Sequence, residues 1–335
     1  MRIIVTGASG LLGSALVPAL RADGHDVVTL VRREPRGPAE IRWDPDRGEL
    51  DSAALAGVDA AVHLAGAGVG DHRWTADYRR VILDSRVRGT RLLAGALAAA
   101  ASTAQARTSA AGAAGHAARP SVMLSASAEG WYGPHAGEPV DETAPAGTGF
   151  LADVVRAWEA ATSPAADAGL RVCLLRTGVV LAREGGALAR QLPLFRLGLG
   201  GRLGSGRQWL SWIALADWVA AVRFLLVADG AQRADEQTPA GAPRVAGPVN
   251  LVAPNPVTGT EFARTLGGVL HRPALLPVPR LALRAVVGGF ADEGVLASQR
   301  IIPRAVLDAG FRFQYPDLAD ALRAILTDKR AERRS

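Results

Sequence analysis

The sequence predicts a doubly wound α/β fold: a parallel sheet with helices on both faces, followed by a smaller C-terminal α/β lobe. Three observations predict it. A short apolar strand runs directly into a glycine turn and an amphipathic helix; strand-like and helix-like segments alternate from there to about residue 176; and from Asn250 the pattern changes to short helices punctuated by proline. The composition permits a large core, since 49% of the 335 residues are hydrophobic and 21% charged, which excludes a globally disordered chain.

Residues 2–6 read as a buried strand that ends in Thr6-Gly7-Ala8-Ser9-Gly10-Leu11-Leu12-Gly13. Leu12, Ala15, Leu16, Ala19 and Leu20 then recur at helical spacing, with Pro18 inside the helix as an expected kink and Gly24-His25 closing it. A second strand covers 26–31, which completes a βαβ unit and demands parallel pairing. Strand 59–65 ends at Gly66, a long helix runs from 75 to about 101, and 120–125, 151–167 and 170–176 read as strand, helix and strand. Residues 101–119 (Ala, Ser, Thr and Gly) and 229–247 (Pro, Gly, Ala and charge) read as surface loop extensions. Helices are expected at 260–270 and 281–287, so residues 1–248 are expected to form the nucleotide-binding domain and 249–328 the substrate-side lobe.

Several function classes are disfavoured at once. No apolar run reaches the roughly 18 residues of a membrane span, and glycines 7, 10 and 13 interrupt what could pass for a signal peptide. The single cysteine, Cys173, rules out an internal disulfide and fits a reducing cytoplasm, with the thiol expected buried and inert. Basic residues are scattered except in the tail Lys329, Arg330, Arg333 and Arg334, the net charge is +6 and aromatics are 5%, so no nucleic-acid partner is expected. No metal-ligand spacing is present.

A strand before the glycine turn and a helix after it make a dinucleotide the expected ligand. Gly7 permits the tight turn, Gly10 lets backbone approach a pyrophosphate, and Gly13 lets helix and strand pack closely. The end of the second strand distinguishes cofactors. An acidic residue there would hold a free ribose 2′-hydroxyl; this chain offers Arg32-Arg33, which suit a 2′-phosphate, so NADP is preferred to NAD.

These segments resemble the extended short-chain dehydrogenase/reductase superfamily, with its Thr6-Gly7-x-x-Gly10-x-x-Gly13 turn and the Asp59-Ala-x-Val-His-Leu-Ala-Gly66 strand. The chain is closer still to an epimerase-like branch with a short C-terminal domain of unknown function. Arg73-Trp74-Thr75, Asp84-Ser85-Arg86, Ser125-Ala-Ser-Ala128, Trp131-Tyr132-Gly133, Trp158-Glu159, Arg176-Thr-Gly178, Gly204-Ser-Gly-Arg-Gln-Trp209 and Gly247-Pro-Val-Asn250 carry that likeness. The resemblance implies a Rossmann-type domain whose nicotinamide cofactor meets Thr6, Gly7, Ser9, Gly10, Leu11, Leu12, Gly13, Arg32, Arg33, Leu64, Ala65, Gly66, Ser125 and Arg176. It also implies that Arg207 reaches an anionic substrate, while Ala214 and Ala216 depart from the branch's Ile-His-x-Asp-Asp pattern, of which Asp217 survives.

In the superfamily at large a tyrosine, and a lysine four residues later, perform the proton chemistry. This chain has no such pair. Its three tyrosines, Tyr78, Tyr132 and Tyr315, are followed four places on by Ile82, Ala136 and Ala319, and Lys329 is the only lysine. The helix that should carry the pair offers Phe150-Leu151 and Val154-Val155. Ser127 and Tyr132 are the remaining catalytic candidates, with Glu129 expected exposed and idle and His135 expected solvated. The reading is an NADP-binding oxidoreductase acting on a small polar or anionic molecule in the cytoplasm; the alternative is a non-catalytic NADP-binding sensor or interaction protein. Long helices beside the sheet leave a homodimer open.

Overall fold

Seven strands form the central sheet of the computed structural model, which describes residues 1–111, 119–227 and 244–327. The first elements are β1 (Arg2–Thr6), α1 (Leu11–Ala22), β2 (Asp26–Val31), β3 (Glu40–Arg42), β4 (Ala60–His63), α2 (Ala76–Ala111) and β5 (Val122–Ala128). Next come β6 (His135–Val140), α3 (Phe150–Ala160), α4 (Ser163–Asp167), β7 (Arg171–Thr177), β8 (Val179–Leu181), α5 (Gly186–Arg196), β9 (Trp209–Leu210), β10 (Trp212–Ala214) and α6 (Leu215–Val227). The chain ends with β11 (Gly247–Leu251), β12 (Val257–Thr258), α7 (Gly259–Val269), α8 (Arg280–Val287), β13 (Gln299–Ile301), α9 (Arg304–Asp308) and α10 (Leu318–Thr327).

The strand order is β3-β2-β1-β4-β5-β7-β11, and the β1–β2, β1–β4, β2–β3 and β4–β5 pairs are all parallel. Helices cover both faces of such a sheet, which is why Ile3, Ile4 and Val5 are consecutive and all buried. The order reverses between β1 and β4. Open α/β sheets bind ligands at this switch point, outside the carboxyl ends of the strands.

The chain folds as two compact units. One comprises Met1–Ser127, Asp153–Leu175 and Val222–Val249; the other comprises Ala128–Ala152, Arg176–Ala221 and the chain from Asn250 on. Both are built from non-contiguous segments. The core of the first unit groups Ile4, Val28, Trp43, Leu93, Leu97 and Met123; that of the second groups Leu192, Phe195, Trp212, Leu266 and Leu322.

Three local readings change. The helix α1 runs through Pro18 without a break, ending where Gly24 (φ +81°) lets His25 N–H reach Leu20 O at 3.1 Å. The expected loop 101–119 is helical as far as Ala111, because alanine has the highest helix propensity and Ser102 and Thr103 turn their hydroxyls onto Ala98 O and Ala99 O. The expected helix 151–167 divides into α3 and α4, with Pro164 in the first turn of α4. Residues 112–118 and 228–243 of the two expected loops lie outside the described residues, as does Lys329. The C-terminal helices fall where expected, α7 behind a Thr258/Glu261 capping box.

Candidate functional site

The parallel strands bring the ends of β1, β2, β4 and β5 to one edge of the sheet in the first unit. Gly7 has φ +68°, and a Cβ there would lie 2.8 Å from Leu64 C; a Cβ on Gly13 would lie 2.3 Å from Gly7 O. Glycine is required at both. At Gly10 an added Cβ would meet only Gly7 O, at 3.4 Å, so the space above the turn is open. Gly10 caps α1 without a side-chain hydrogen bond, and the first turn holds no acidic residue, leaving the positive helix end unanswered. Ser9 and Gly10 are exposed and Leu11 and Leu12 half-buried, so their backbone can face a ligand.

Thr6 has a different task. Its hydroxyl oxygen accepts from Leu64 N (3.0 Å) and Ala65 N (3.1 Å), so its one proton goes to His63 Nδ1 at 2.8 Å. His63 is therefore neutral with its hydrogen on Nε2, in keeping with burial pulling it down to about 4. The Nε2 atom is buried with no hydrogen-bond partner, and the ring stands edge-on to Trp43, 6.0 Å between centroids. Thr6 thus shapes the turn after β4 and leaves no hydroxyl proton for a cofactor.

The two arginines after β2 are not equivalent. Arg33 grips Glu40 with both Nη atoms, at 2.7 and 2.6 Å, and donates to Glu34 O at 2.9 Å. The Arg33 fork and the Arg36 N–H hold the Glu40 carboxyl down at about 2. Arg32 is exposed, with no hydrogen bond or ion pair among the described residues. Of the two arginines expected at a 2′-phosphate, Arg32 is unpaired among the described residues and Arg33 is engaged by Glu40.

Around the turn after β4, Gly66 is exposed, Leu64 and Ala65 are half-buried, and α2 ties the loop down. Tyr78 donates its hydroxyl to Gly68 O at 2.5 Å, Arg86 Nη1 donates to Ala67 O at 2.8 Å, and Ser85 Oγ accepts from Ala67 N at 3.1 Å. Ser125 is buried in β5, its hydroxyl turned onto Ala126 O. Ser127, at the end of β5, donates to Glu159 Oε1 at 2.6 Å, and both are buried. Glu159 lies on α3 one and two turns beyond Val155 and Leu151, while Trp158, Val154 and Phe150 form the adjacent stripe. Either register of the missing tyrosine and lysine is therefore apolar.

In the second unit, Tyr132 is buried with its hydroxyl donating to Asn250 Oδ1 at 2.6 Å and accepting from Arg176 Nη1 at 3.3 Å. Burial pushes the phenol up to about 12. Arg176 is itself buried, 3.9 Å from the Trp131 ring centroid and 5.4 Å from that of Tyr132. Asn250 N–H is held by Glu142 Oε1 at 2.9 Å, and Asn250 Nδ2 donates to Ile302 O at 3.0 Å. Such a network rigidifies a core, and it commits the only proton Tyr132 could give. Glu129 is half-buried rather than exposed, and loss of water pushes its carboxyl up to about 8. His135 is exposed, as expected, though it starts β6. Arg207 is exposed on the loop before β9, its guanidinium unpaired among the described residues. Asp217 is buried, accepting from Gln314 N and Tyr315 N at 2.7 and 2.9 Å, a structural use.

Residues 3–237 match the family of NAD dependent epimerases and dehydratases, and residues 278–325 match a domain of unknown function, DUF1731. The chain belongs to the NAD dependent epimerase/dehydratase family. It is 43% identical over 320 residues to Epimerase family protein Mb2239 of Mycobacterium bovis, covering 96% of each chain. It is 36% identical over 329 residues to Epimerase family protein SDR39U1 of Homo sapiens, covering 97% of this chain and all of that one (100%). The crystal structure of human epimerase family protein SDR39U1 (isoform 2) with NADPH superimposes with a TM-score of 0.80 at 33% identity, over 98% of this chain and 100% of that one. The epimerase-family fold expected from the sequence is the fold observed. Among the described residues no group of three or more His, Cys, Asp and Glu could hold a metal, and no helix is long and apolar enough to cross a membrane.

Two contributors escaped the sequence reading. Glu159 and Arg86 both lay inside segments quoted for the likeness, yet only their placement gives them a partner or isolates them. The one sequence signal was helical spacing, which sets Tyr78, Ile82 and Arg86 on a single stripe of α2.

Proposed function

We propose that this epimerase-family chain binds NADP(H) across the β1–β4 switch point and transfers a hydride to or from a small polar or anionic molecule. The observation that supports it is the uncapped glycine turn of α1, with an unpaired Arg32 after the adjacent strand β2: a helix end for a pyrophosphate and a cation for a 2′-phosphate. Gly7, Ser9, Gly10, Leu11, Leu12 and Gly13 would hold the pyrophosphate, Leu64 to Gly66 the second half of the dinucleotide, and Arg207 the substrate's anion. On this reading residues 1–248 serve the cofactor and 249–328 the substrate side. The crystallised human relative binds NADPH, which fits the same choice.

A bound nicotinamide supplies or accepts the hydride. The chain's own part is the proton. Because Ser127 Oγ–H points at Glu159, its lone pairs are left to accept from a substrate hydroxyl. As that hydroxyl is oxidised, its proton moves to Ser127 Oγ while the serine proton moves to Glu159 Oε1; reduction runs the same path backwards. Ser127 is the catalytic residue of this reading, with Glu159 behind it as the proton's end point. Acid–base groups of this kind contribute about 10²–10⁴-fold. Ser127→Ala and Glu159→Gln are expected to lower kcat by about 100-fold or more on any carbonyl or alcohol that turns over, with NADPH affinity unchanged. If both variants turn over at the wild-type rate, the proton path is wrong.

The alternative, an NADP-binding sensor without turnover, is favoured by the apolar stripes on α3 and by the committed hydroxyl of Tyr132. Saturable NADPH binding with no hydride transfer across a broad panel of carbonyls and alcohols selects it.

A further inference from the structure

Arg86 is a half-buried cation without a counter-ion among the described residues. Its Nη1 donates to Ala67 O (2.8 Å) and Ile82 O (3.1 Å), and its Cζ lies 4.9 Å from the Trp158 ring centroid. Two carbonyl dipoles and an indole face soften the charge without neutralising it, and no carboxylate pairs with Arg86 among the described residues. Loss of water pulls the guanidinium down to about 10. A half-buried cation with no counter-ion, seated against a glycine of the turn after β4, leaves its charge to act on whatever occupies that turn.

Its position says which partner. A methyl on Gly66 would lie 3.4–3.6 Å from Cγ, Cζ and Nη1 of Arg86, so the guanidinium lies directly against that glycine. The adenosine half of a dinucleotide whose 2′-phosphate met Arg32 would lie over β2, with the pyrophosphate at Gly10. The other half would then pass the ends of β4 and β5, where Gly66, Ala67 and Ser127 stand. Trp158, which Arg86 stacks on, is next in sequence to Glu159, which holds Ser127. The cation and the hydroxyl that meets the substrate thus share one helix as support.

We propose that Arg86 makes this site select the reduced dinucleotide, lying beside the nicotinamide half where it tolerates a neutral dihydronicotinamide and repels the cationic oxidised ring. The inference rests on the NADP reading above and adds to it a redox-state preference. Two unit charges about 8 Å apart repel enough to shift affinity by about 3-fold in a water-like medium and about 30-fold in a protein-like one.

The test titrates the full chain with NADPH, NADP+ and adenosine 2′,5′-bisphosphate, which lacks the nicotinamide half. The wild-type protein is expected to bind NADPH about 3- to 30-fold more tightly than NADP+. In Arg86→Gln that ratio falls to about 1, in Arg86→Lys it is kept, and the affinity for adenosine 2′,5′-bisphosphate changes less than twofold in either. A wild-type ratio of 1 or below overturns the proposal with no variant needed, so it stays exposed even where Arg86→Gln does not fold. A preference that survives in folded Arg86→Gln overturns it as well. Failure of all three nucleotides to bind removes the NADP reading and this inference together, whereas binding of all three with a ratio insensitive to position 86 removes the inference alone.

Discussion

Arg32 and Arg33 are adjacent in sequence and opposite in consequence, which makes their substitution a sharp test of the nucleotide site. Arg32→Gln removes an unpaired, exposed guanidinium. A hydrogen bond to a charged group contributes about 1.5–3 kcal/mol, and exposure to solvent argues for the lower part of that range. About 1.5–2 kcal/mol corresponds to a 10- to 30-fold weaker NADPH complex. NADH lacks the 2′-phosphate, so its affinity should move less than about twofold. Arg33 calls for a different perturbation. Arg33→Gln alone would also release the Glu40 carboxylate, now gripped at 2.6 and 2.7 Å, and confuse a lost cation with a new anion. Arg33→Gln/Glu40→Gln removes both ends of the pair at constant net charge and is expected to change NADPH affinity by less than about threefold. The assay is quenching of tryptophan fluorescence at fixed ionic strength, since surface electrostatics vary with salt. If the double variant weakens NADPH as much as Arg32→Gln does, or if Arg32→Gln leaves the NADPH-to-NADH affinity ratio unchanged, the assignment of the phosphate to Arg32 is wrong.

Other consequences can be checked on stability and rate. Tyr132→Phe strips a buried donor from Asn250 Oδ1 and an acceptor from Arg176, so urea unfolding should show a loss of about 1–3 kcal/mol, while turnover stays within a few-fold of wild type; a hundredfold fall in kcat would restore the phenol as the acid. Glu129 keeps a proton in the folded state up to about 8, against 4.5 in the unfolded chain, so its contribution to stability is level below about 4.5 and declines as pH rises from there to about 8. That slope cannot exceed ~1.4 kcal/mol per pH unit, and Glu129→Gln should flatten it in a series of Tm measurements; an unchanged slope places the titration elsewhere. Gly13→Ala, whose Cβ would lie 2.3 Å from Gly7 O, should cost about 1–3 kcal/mol and abolish nucleotide binding. Gly95→Ala meets nothing within 4 Å inside α2 and should gain about 0.5–1 kcal/mol in the same unfolding assay.

Much of this architecture is legible in the chain because its signals are local. A βαβ unit announces itself through period and glycine placement, and β1, α1 and β2 fall where those features put them. The C-terminal part of α2 is harder, since a run of Ala, Ser and Thr satisfies a loop by composition and a helix by propensity; the structure follows the propensity. Strand β3 is three residues long, too short for any alternation to show, yet it decides the fate of Arg33. Its pairing with β2, Glu40 opposite Thr29, carries Glu40 to where Arg33 can grip it. Nothing in Val31-Arg32-Arg33-Glu34 reveals which arginine will be taken.

The proton chemistry follows the same logic at longer range. A tyrosine near pKa 10 acts as a base at neutral pH only if a cation lowers it by about 3 units, or roughly 4 kcal/mol. Tyr132 moves the other way, because its surroundings exclude water faster than Arg176 can stabilise a phenolate. A chain in which no tyrosine has a lysine four residues on therefore has little use for a phenol, and a carboxylate is a base without such help. Ser127 and Glu159 are 32 positions apart and supply a hydroxyl with a carboxylate behind it, while Arg86 supplies a cation from a different helix. On the proposed reading, one spacing motif, which a sequence can display, gives way to three residues on β5, α3 and α2 that only the fold assembles. That division makes a separable prediction. Glu159→Gln should abolish turnover and leave the NADPH-to-NADP+ affinity ratio intact, whereas Arg86→Gln should collapse that ratio. If Glu159→Gln instead shifts the ratio and spares turnover, the charge and proton functions have been assigned to the wrong residues.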